Sequence, residues 1–319
     1  LVTVSAAEIA DTLAELEQKG VMLIGIIVVL AIFLSWLLST ILVKPLARVT
    51  KSIEDLTDGV LDGEISVPDY TETELITDAF NKMVNRMKIL DESRQEFVSN
   101  VSHELKTPIT SMKVLADSLL MQEDVPAELY REFMGDIAEE IERENKIIND
   151  LLSLVKMDKK AADVNIQSTN INELIELIMK RLRPIAQKRN IDLTLDSYKP
   201  VIAEVDETKL TLALSNLMEN AVKYNKEGGW VRISINTDHK YFYVKVEDNG
   251  IGIPKEDQEH IFERFYRVDK SHSREIGGTG LGLAIARSGI LMHHGIIKVY
   301  SEEGEGTTFT VRVPLVYQE

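Results

Sequence analysis

The stretch FVSNVSHELKTPIT fills residues 97–110 and sets the fold of the middle of the chain, because its apolar residues recur at helical spacing. Each residue of a helix advances by about 100° around the axis. His103 therefore lies about 200° from both Val101 and Leu105, and its imidazole faces water if those two residues face a core. Pro108 has no amide hydrogen to donate, so we expect it to bend the helix within a turn of His103.

The neighbours of His103 suit a chemical role better than a packing role. Glu104 provides a carboxylate beside the imidazole, and Thr107 provides a hydroxyl one helical turn further on. An imidazole oriented by a neighbouring carboxylate is typical of an activated nucleophile. The alternative is an ordinary surface histidine, which these residues alone favour, so the assignment depends on motifs further along the chain.

The composition limits the classes of protein to which the chain can belong. It has 319 residues, which is enough for several domains. Its 36 basic and 52 acidic side chains leave a net charge of -16, which argues against a general nucleic-acid binder. The absence of cysteine excludes disulfides, thiolate metal sites and a cysteine nucleophile. The six histidines have no metal-ligand spacing, and the adjacent pair His293 and His294 is expected to lie on the surface or to pack.

One segment, Val21–Val43, predicts a transmembrane helix. It has no charged side chain and is long enough to span about 30 Å of hydrocarbon. Lys44, Arg48 and Lys51 follow it, whereas mostly acidic residues precede it, so we expect the basic flank on the cytoplasmic side. A signal peptide is disfavoured because the apolar run is too long and no basic region precedes it. Residues 1–20 are expected to be the extracytoplasmic remnant of a larger sensory part that is missing from this chain.

Two short helices with coiled-coil spacing are predicted after the span, within residues 44–96. The apolar positions of the first are separated by steps of 4, 3, 4, 3 and 4, at Leu42, Leu46, Val49, Ile53, Leu56 and Val60. Those of the second are Ile76, Phe80, Met83, Met87 and Leu90. Gly59, Gly63 and Pro68 break the helix between them. The arrangement resembles a HAMP linker, a parallel four-helix signal relay formed by two chains, and the alternative is an ordinary juxtamembrane coiled coil.

Two long amphipathic helices are predicted over residues 97–160. The second seam continues through the His103 helix as far as Leu119, and a short loop with Asp124 and Pro126 leads to another helix. The apolar residues of that helix are Phe133, Ile137, Ile141, Ile148, Leu151 and Val155. Two such helices bury little surface alone, so we expect a dimeric four-helix bundle. The polar stretch Lys156–Gln167 is the expected linker to the next domain.

The remaining residues, 161–319, have a mixed α/β pattern. Helices are predicted at Asn172–Lys188, Glu207–Tyr224 and Gly280–His293. Strands are predicted at Ile191–Leu195, Val201–Glu204, Val231–Asn236, Tyr241–Glu247, Ile296–Tyr300 and Thr308–Val313. Thr237–Lys240 is predicted to be a hairpin turn, which argues against a Rossmann fold. We expect a mixed sheet with helices on one face.

The first polar signature of this domain is Asn216–Tyr224 (NLMENAVKY). Asn216 and Asn220 lie four residues apart and therefore on one helix face. An amide oxygen there is a candidate ligand for Mg²⁺ on a polyphosphate, because Mg²⁺ accepts few protein oxygens and keeps several waters. Lys223 adds a positive charge for the phosphates. Taken alone, two asparagines on a helix favour an ordinary surface face.

Three glycine-rich signatures follow. Asp248–Ile253 (DNGIGI) comes directly after a strand, where Asp248 can accept from an exocyclic amine and glycine lets the backbone approach a planar base. Gly277–Leu283 (GGTGLGL) opens a helix, whose free amide groups form an anion site. Gly304–Phe309 (GEGTTF) is typical of a turn into a closing strand. Each is weak evidence alone, since such glycine clusters are usually only turns.

Together and in this order, the four signatures resemble the Bergerat ATP-binding fold, an α/β sandwich. With the His103 helix upstream, the chain resembles a sensor histidine kinase of the HisKA dimerisation type from Leu46 to the C-terminus. The GxxxxGK[ST] loop of P-loop proteins is absent from the sequence, so ATP would be held in this other way.

The resemblance implies catalytic roles. His103 would be the phosphoacceptor, with Nε2 attacking the γ-phosphoryl group of ATP, and Glu104 would be the general base. Thr107 resembles the residue that positions water in the phosphatase reaction. In the segment IFERFYR, residues 261–267, Arg267 would neutralise charge on the transferring phosphoryl group.

The resemblance also implies a nucleotide site. Asn216 and Asn220 would hold Mg²⁺, Lys223 and Tyr224 would contact the nucleotide, and Asp248 would contact the adenine. The glycines of the site would be Gly250, Gly252, Gly278, Gly280 and Gly282.

The function implied is that of a membrane-bound, homodimeric histidine kinase of a bacterial two-component system. It would use ATP and Mg²⁺ to phosphorylate His103, pass the group to an aspartate of a separate response regulator, and dephosphorylate that regulator. The kinase portion would be cytoplasmic, with an ATP lid over residues 256–278, a mobile tip at 270–274 and no direct nucleic-acid partner. One rival is another enzyme on the same ATP fold, such as a serine kinase or a chaperone-type ATPase, which the span and the His103 helix disfavour. A non-enzymatic adaptor is disfavoured by the intact motifs.

Overall fold

The structure, a computed structural model, describes residues 6–57, 65, 71–121, 126–158, 164–268 and 278–317. The chain divides into two units, Leu1–Glu96 and Phe97–Glu319.

A long apolar helix dominates the first unit. Helix α1 spans Ala6–Leu38, a π-helical turn spans Ser39–Val43, and α2 spans Lys44–Thr57. Within the described residues one helical stretch, Asp11–Glu54, has the length and the mean hydropathy, 3.0 in its most apolar window, to cross a membrane. Length and composition alone therefore agree with the predicted span.

The π-helical turn has a local cause in the sequence. Pro45 lacks the amide hydrogen that an α-helix requires at its position. The preceding amide, of Lys44, donates to the carbonyl of Ser39, five residues back. The hydroxyl of Thr40 donates to the carbonyl of Trp36 at 3.0 Å, so a side chain satisfies part of the disturbed backbone.

A small apolar cluster follows the apolar helix. Val49 and Ile65 are buried, and Ile53 and Phe80 pack against them. The side chain of Asn81 accepts from the amide of Ile65 at 2.9 Å and donates to its carbonyl at 2.8 Å. Ile65 therefore anchors this stretch of the chain, while the predicted breaks at 59, 63 and 68 lie outside the described residues.

Two long helices form the middle of the chain. Helix α3 spans Thr71–Leu120 and passes through Pro108 without ending, as the continuous seam predicted. Helix α4 spans Ala127–Asp158. The predicted linker at Lys156–Gln167 was too long at both ends, because α4 runs on to Asp158 and a strand already begins at Gln167. The cause is packing, since Met157 near the end of α4 is buried against the next domain.

The C-terminal domain combines a mixed sheet with helices. Its strands are β1 (Gln167–Asn170), β2 (Asp192–Ser197), β3 (Ile202–Val205), β4 (Trp230–Thr237), β5 (Tyr241–Asp248), β6 (Ile296–Glu302) and β7 (Gly306–Pro314). Its helices are α5 (Ile171–Lys188), α6 (Glu207–Lys223) and α7 (Gly282–Met292). The main sheet has the order β2-β4-β5-β7-β6, in which β2 and β4 are parallel and the other pairs antiparallel. The expected mixed sheet and the β4–β5 hairpin are confirmed, and the β1–β3 pair was not fully predicted because β1 was missed.

The core of this domain lies between the helices and one face of the main sheet. Residues of β4, β5 and β7 alternate between buried and more exposed positions, as strands with one covered face do. The buried set comprises Val231, Ile233, Ile235, Phe242, Val244, Val246, Phe309, Val311 and Val313. This packing fixes the strand ends that carry the glycine-rich loops.

A buried histidine fixes the start of α6. Asp206 caps that helix by accepting from the amide of Lys209 at 3.0 Å. The amide of Asp206 donates to Nε2 of His293 at 2.9 Å, so Nδ1 carries the proton and donates to the carbonyl of Gly289 at 2.6 Å. Burial lowers the pKa of His293, in accord with a neutral ring. The predicted packing role is confirmed for His293, whereas His294 is exposed.

Candidate active site

The predicted phosphoacceptor lies on an exposed face of α3. His103 is exposed, whereas Val101 and Leu105 are half-buried, as the helical spacing predicted. The hydroxyl of Thr107 is also exposed and donates to the carbonyl of His103 at 3.1 Å. Pro108, one residue further, is buried. The imidazole and the hydroxyl are thus both accessible to a reactant.

Arg267 joins this helix to the nucleotide-binding domain. Its Nη2 atom lies 3.7 Å from Oε2 of Glu104, and its side chain is only 11% exposed. The same Nη2 atom is buried and has no hydrogen-bond partner among the described residues. Leaving a buried guanidinium nitrogen unpaired is costly, so this atom is suited to an anionic ligand.

An apolar interface holds α4 against the start of α7. Leu154 and Met157 of α4 are buried together with Leu281 and Ile285. On α3, Phe97 packs against the ring of Phe265, with centroids 5.9 Å apart. Helices α3 and α4 and the C-terminal domain of one chain are therefore in contact.

The predicted nucleotide residues converge on one cleft. Those that line it are Asn216, Asn220, Lys223, Tyr224, Asp248, Gly252, Arg267, Gly278, Gly280 and Gly282. Gly250 does not line the cleft, and its amide donates to Oδ1 of Asp248 at 2.9 Å. The lining does not include His103, Glu104 or Thr107. Arg267 connects the cleft to their helix through its contact with Glu104. The predicted lid tip at 270–274 lies outside the described residues.

Helix α6 presents the candidate Mg²⁺ ligands. The side-chain amide nitrogen of Asn216 donates to the carbonyl of Leu212 at 2.9 Å, which turns its oxygen toward the glycine-rich loop. A Cβ added at Gly282 would lie 2.7 Å from that oxygen, so only glycine leaves it free. Asn220 lines the same cleft one turn further on. This geometry suits a cation ligand.

Asp248 is the last residue of β5 and also lines the cleft. Its Oδ1 accepts from the amides of Gly250 at 2.9 Å and Thr307 at 3.3 Å. Burial nevertheless raises the pKa of its carboxyl to about 6, because desolvation outweighs these two bonds. Apolar side chains of Ile251, Ile253, Ile261, Leu283 and Phe309 also line the cleft. A half-buried acceptor among apolar side chains suits a planar base that carries an amine.

The cleft also contains a cluster of positive charge, with Lys146, Lys223 and Arg267 in its lining. The pKa of Lys223 falls to about 8, mainly through burial and then through the nearby charges of Lys146, Arg267 and Arg143. Burial also raises the pKa of the Tyr224 hydroxyl. Cations that disfavour one another in this way are stabilised by a bound anion.

Sequence reasoning missed the contribution of α4 to the cleft. Lys146 and Asp150 both line it, together with Glu219 and Thr279. The hydroxyl of Thr279 donates to Oδ2 of Asp150 at 2.8 Å, and Nζ of Lys146 lies 3.6 Å from Oε2 of Glu219. Burial raises the pKa of Asp150. No signal in the sequence could have identified these residues, because their approach depends on how two domains pack.

Family models match the two domains that carry this site. Residues 93–160 match the His Kinase A (phospho-acceptor) domain. Residues 205–317 match the histidine kinase-, DNA gyrase B- and HSP90-like ATPases.

Proteins of similar sequence belong to the same class. The chain is 38% identical to the sensor histidine kinase WalK of Bacillus subtilis over 271 residues, which cover 84% of this chain and 42% of WalK. It is 37% identical to the sensor-like histidine kinase SenX3 of Mycolicibacterium smegmatis over 225 residues, which cover 70% of this chain and 58% of SenX3. The chain thus spans about half the length of these relatives.

Solved structures of histidine kinases also resemble this chain. A complex of the histidine kinase ThkA with the response regulator protein TrrA matches with a TM-score of 0.58 and 26% identity, over 78% of this chain and 69% of that one. The histidine kinase AdeS of Acinetobacter baumannii shares the fold, with a TM-score of 0.54 and 23% identity over 67% of this chain and 98% of that one. The resemblance drawn from the motifs is confirmed, and the chain belongs to the bacterial sensor histidine kinases of the HisKA type.

Proposed function

We propose that this chain transfers the γ-phosphoryl group of Mg-ATP to His103 and then to an aspartate of a separate response regulator. One observation carries the proposal. Arg267 lines the nucleotide cleft and at the same time lies 3.7 Å from Glu104, the neighbour of the exposed His103. The donor site and the acceptor helix therefore share one charged contact.

The chemistry assigned to these side chains is an in-line displacement. Nε2 of His103 forms a bond to the γ-phosphorus while the phosphorus–oxygen bond to ADP breaks, and ADP leaves with the electron pair. Glu104 accepts or orients the proton on the other ring nitrogen, which makes the attacking nitrogen more nucleophilic. Arg267 neutralises the charge that develops on the phosphoryl oxygens.

The residues of the cleft fit Mg-ATP. Asn216 and Asn220 would ligate Mg²⁺, which would shield the phosphate charge; Lys223 and Tyr224 would contact the nucleotide; and Asp248 would accept from the adenine amine. Within the described ranges no group of three His, Asp or Glu side chains could hold a metal ion. The cation would therefore depend on amide oxygens, water and the phosphates themselves, as Mg²⁺ commonly does.

We further propose a homodimer in the bacterial cell membrane, with the kinase portion in the cytoplasm. Many apolar side chains of α3 and α4 are exposed in the single chain: Ile76, Met83, Met87, Leu90, Ile109, Val114, Met134, Ile141, Ile148, Leu152 and Val155. Exposed apolar stripes of this length favour a second pair of helices. A HAMP linker formed by two chains accounts for those before His103, and a dimeric four-helix bundle accounts for the others.

The proposed domain order follows the same division. Residues 1–20 are extracytoplasmic, 21–43 span the membrane, and 44–96 form the HAMP linker and signalling helix. Residues 97–160 form the dimerisation and phosphotransfer domain, and 161–319 form the ATP-binding domain. Cross-links that hold the linker seam fixed are expected to abolish the response to a stimulus, and unchanged regulation would contradict this role of the linker.

The test of the kinase proposal is transfer of label from ATP. The full chain in detergent micelles is incubated with γ-labelled ATP and Mg²⁺, and the label is tested in acid and in alkali. We expect an acid-labile, alkali-stable label that is lost in His103→Gln and kept in the control His239→Gln, which alters an exposed histidine of the β4–β5 turn. Acid-stable label would indicate a hydroxyl acceptor, and no label would indicate an ATPase or an adaptor.

A further inference from the structure

The face of α4 that meets the ATP-binding domain ends in two polar residues at the nucleotide cleft. Lys146, Asp150, Leu154 and Met157 follow one another at helical spacing and so form one stripe. The last two are buried against α7, and the first two line the cleft. The position of Lys146 therefore follows from the packing of the two domains rather than from the nucleotide-binding fold.

We propose that Lys146 is a nucleotide-positioning residue. While α4 is packed against α7, the side chain of Lys146 reaches from α4 into the cleft and binds the polyphosphate of the nucleotide. The inference rests on the proposed function for the identity of the nucleotide. It adds to the ATP-binding domain a ligand contact that this domain does not itself contain.

Charge supports this role. Burial and then the nearby charges of Lys146, Arg267 and Arg143 hold the pKa of Lys223 near 8, while Glu219 acts in the opposite direction. Of these, Lys146 and Arg267 come to the cleft with weak partners, since each lies 3.6–3.7 Å from a carboxylate rather than at hydrogen-bond distance. Such a group is neutralised by an anion with several negative oxygens.

The contact of Asp150 with Thr279 holds Lys146 in register with the cleft. Thr279 is buried between Gly278 and Gly280, both of which line the cleft, and its hydroxyl donates to Asp150 at 2.8 Å. Asp150 lies one turn from Lys146 on α4, so the bond ties the glycine-rich loop to the same face. Glu219, next to the proposed Mg²⁺ ligand Asn220, approaches Lys146 from α6.

A consequence is that nucleotide and docking stabilise each other. A polyphosphate bound by Lys146 as well as by Lys223 links α4 to the ATP-binding domain. By reciprocity, anything that separates α4 from α7 lowers the affinity for the nucleotide. The factor is the same as that by which bound nucleotide favours the packing of α4 against α7.

The test is equilibrium binding by the full chain in detergent micelles at pH 7, with two probes. A non-hydrolysable ATP analogue with Mg²⁺ has the polyphosphate, and adenosine does not. We expect Lys146→Met to lower the affinity for the analogue roughly 5–10-fold, the scale of one charged hydrogen bond to a partly exposed group. The affinity for adenosine should stay within about twofold of the wild type. Lys146→Arg should retain most of the affinity, and Lys156→Met, an exposed lysine on the same helix, should match the wild type. The loss should shrink at high salt.

Several outcomes overturn the proposal. They are wild-type affinity for the analogue in Lys146→Met, an equal loss for adenosine, or a loss in Lys146→Arg as large as in Lys146→Met. Because binding involves no transfer, the label assay on the same samples reports separately on the proposed kinase activity. Selective loss of the analogue without label in the wild type would support the Lys146 contact and reject the kinase.

Discussion

Nη2 of Arg267 lies 3.7 Å from Oε2 of Glu104, and this ion pair joins the nucleotide cleft to the helix that carries His103. The pair is longer than a hydrogen bond, so the guanidinium is held beside Glu104 without being fully satisfied. A group in this state can turn to a phosphoryl oxygen at little cost, because it gives up only a weak contact.

Arg267→Ala is expected to lower the rate of His103 labelling at saturating ATP by roughly 100-fold, the usual effect of losing one donor to a developing anion. The affinity for an ATP analogue should change much less, because the charge that Arg267 meets appears mainly during transfer. Single-turnover labelling and analogue binding measure the two effects. The control is Arg183→Ala, an exposed arginine on α5. A labelling rate within about threefold of the wild type would contradict the assigned role.

Thr107→Ala is expected to preserve labelling of His103 and to slow dephosphorylation of the phosphorylated regulator by at least about tenfold, because it removes the hydroxyl to which the family resemblance assigns the positioning of water. Thr110→Ala is a matched control. Its hydroxyl donates to the carbonyl of Lys106 at 2.8 Å, as that of Thr107 does to the carbonyl of His103 at 3.1 Å. Both variants therefore remove the same backbone contact. Equal phosphatase activity in the two variants would reject a special role for Thr107.

Adenosine affinity is expected to fall as the pH drops through about 6. Burial raises the pKa of Asp248 to about 6, and the ionised carboxylate is the stronger acceptor for the adenine amine. The raised pKa affects the stability of the folded state in the opposite direction from adenosine affinity. It stabilises the folded state at low pH, and this contribution is lost as the pH rises through about 6. Adenosine is the probe because it has no phosphate that titrates in this range. Asp248→Asn should lower the affinity for adenosine about tenfold at pH 8 and should flatten its dependence on pH. An unchanged pH dependence would show that Asp248 is not part of the binding site.

Gly252→Ala is expected to destabilise the ATP-binding domain more than Gly228→Ala. Both glycines have a φ of +71°, so both substitutions carry the strain of a left-handed side chain, about 1–2 kcal/mol. A Cβ at Gly252 would also lie 2.0 Å from the carbonyl oxygen of Glu302, whereas one at Gly228 meets nothing within 4 Å. Thermal unfolding followed by circular dichroism measures the difference. Equal shifts in Tm would mean that the loop moves freely and that the steric contact is unimportant.

Local patterns predicted most of the C-terminal domain. The apolar period of α5 and the alternation in β4 and β5 were sufficient, because those side chains pack on one face. The strand β1, QSTN, was missed because it has no apolar alternation and is held by backbone pairing with β3. The end of α4 was misjudged because Met157 is buried by a distant part of the chain.

The sequence by itself determined which chemical groups are available and which helix faces present them. The exposure of His103, the shared face of Asn216 and Asn220, and the glycines of the cleft all follow from spacing and residue type. Only the tertiary structure decided that Arg267 meets Glu104 and that Lys146 and Asp150 reach the cleft. The physical reason is that periodicity defines a face, whereas the choice of its partner depends on apolar surfaces far apart in the chain, here those of α4 and α7.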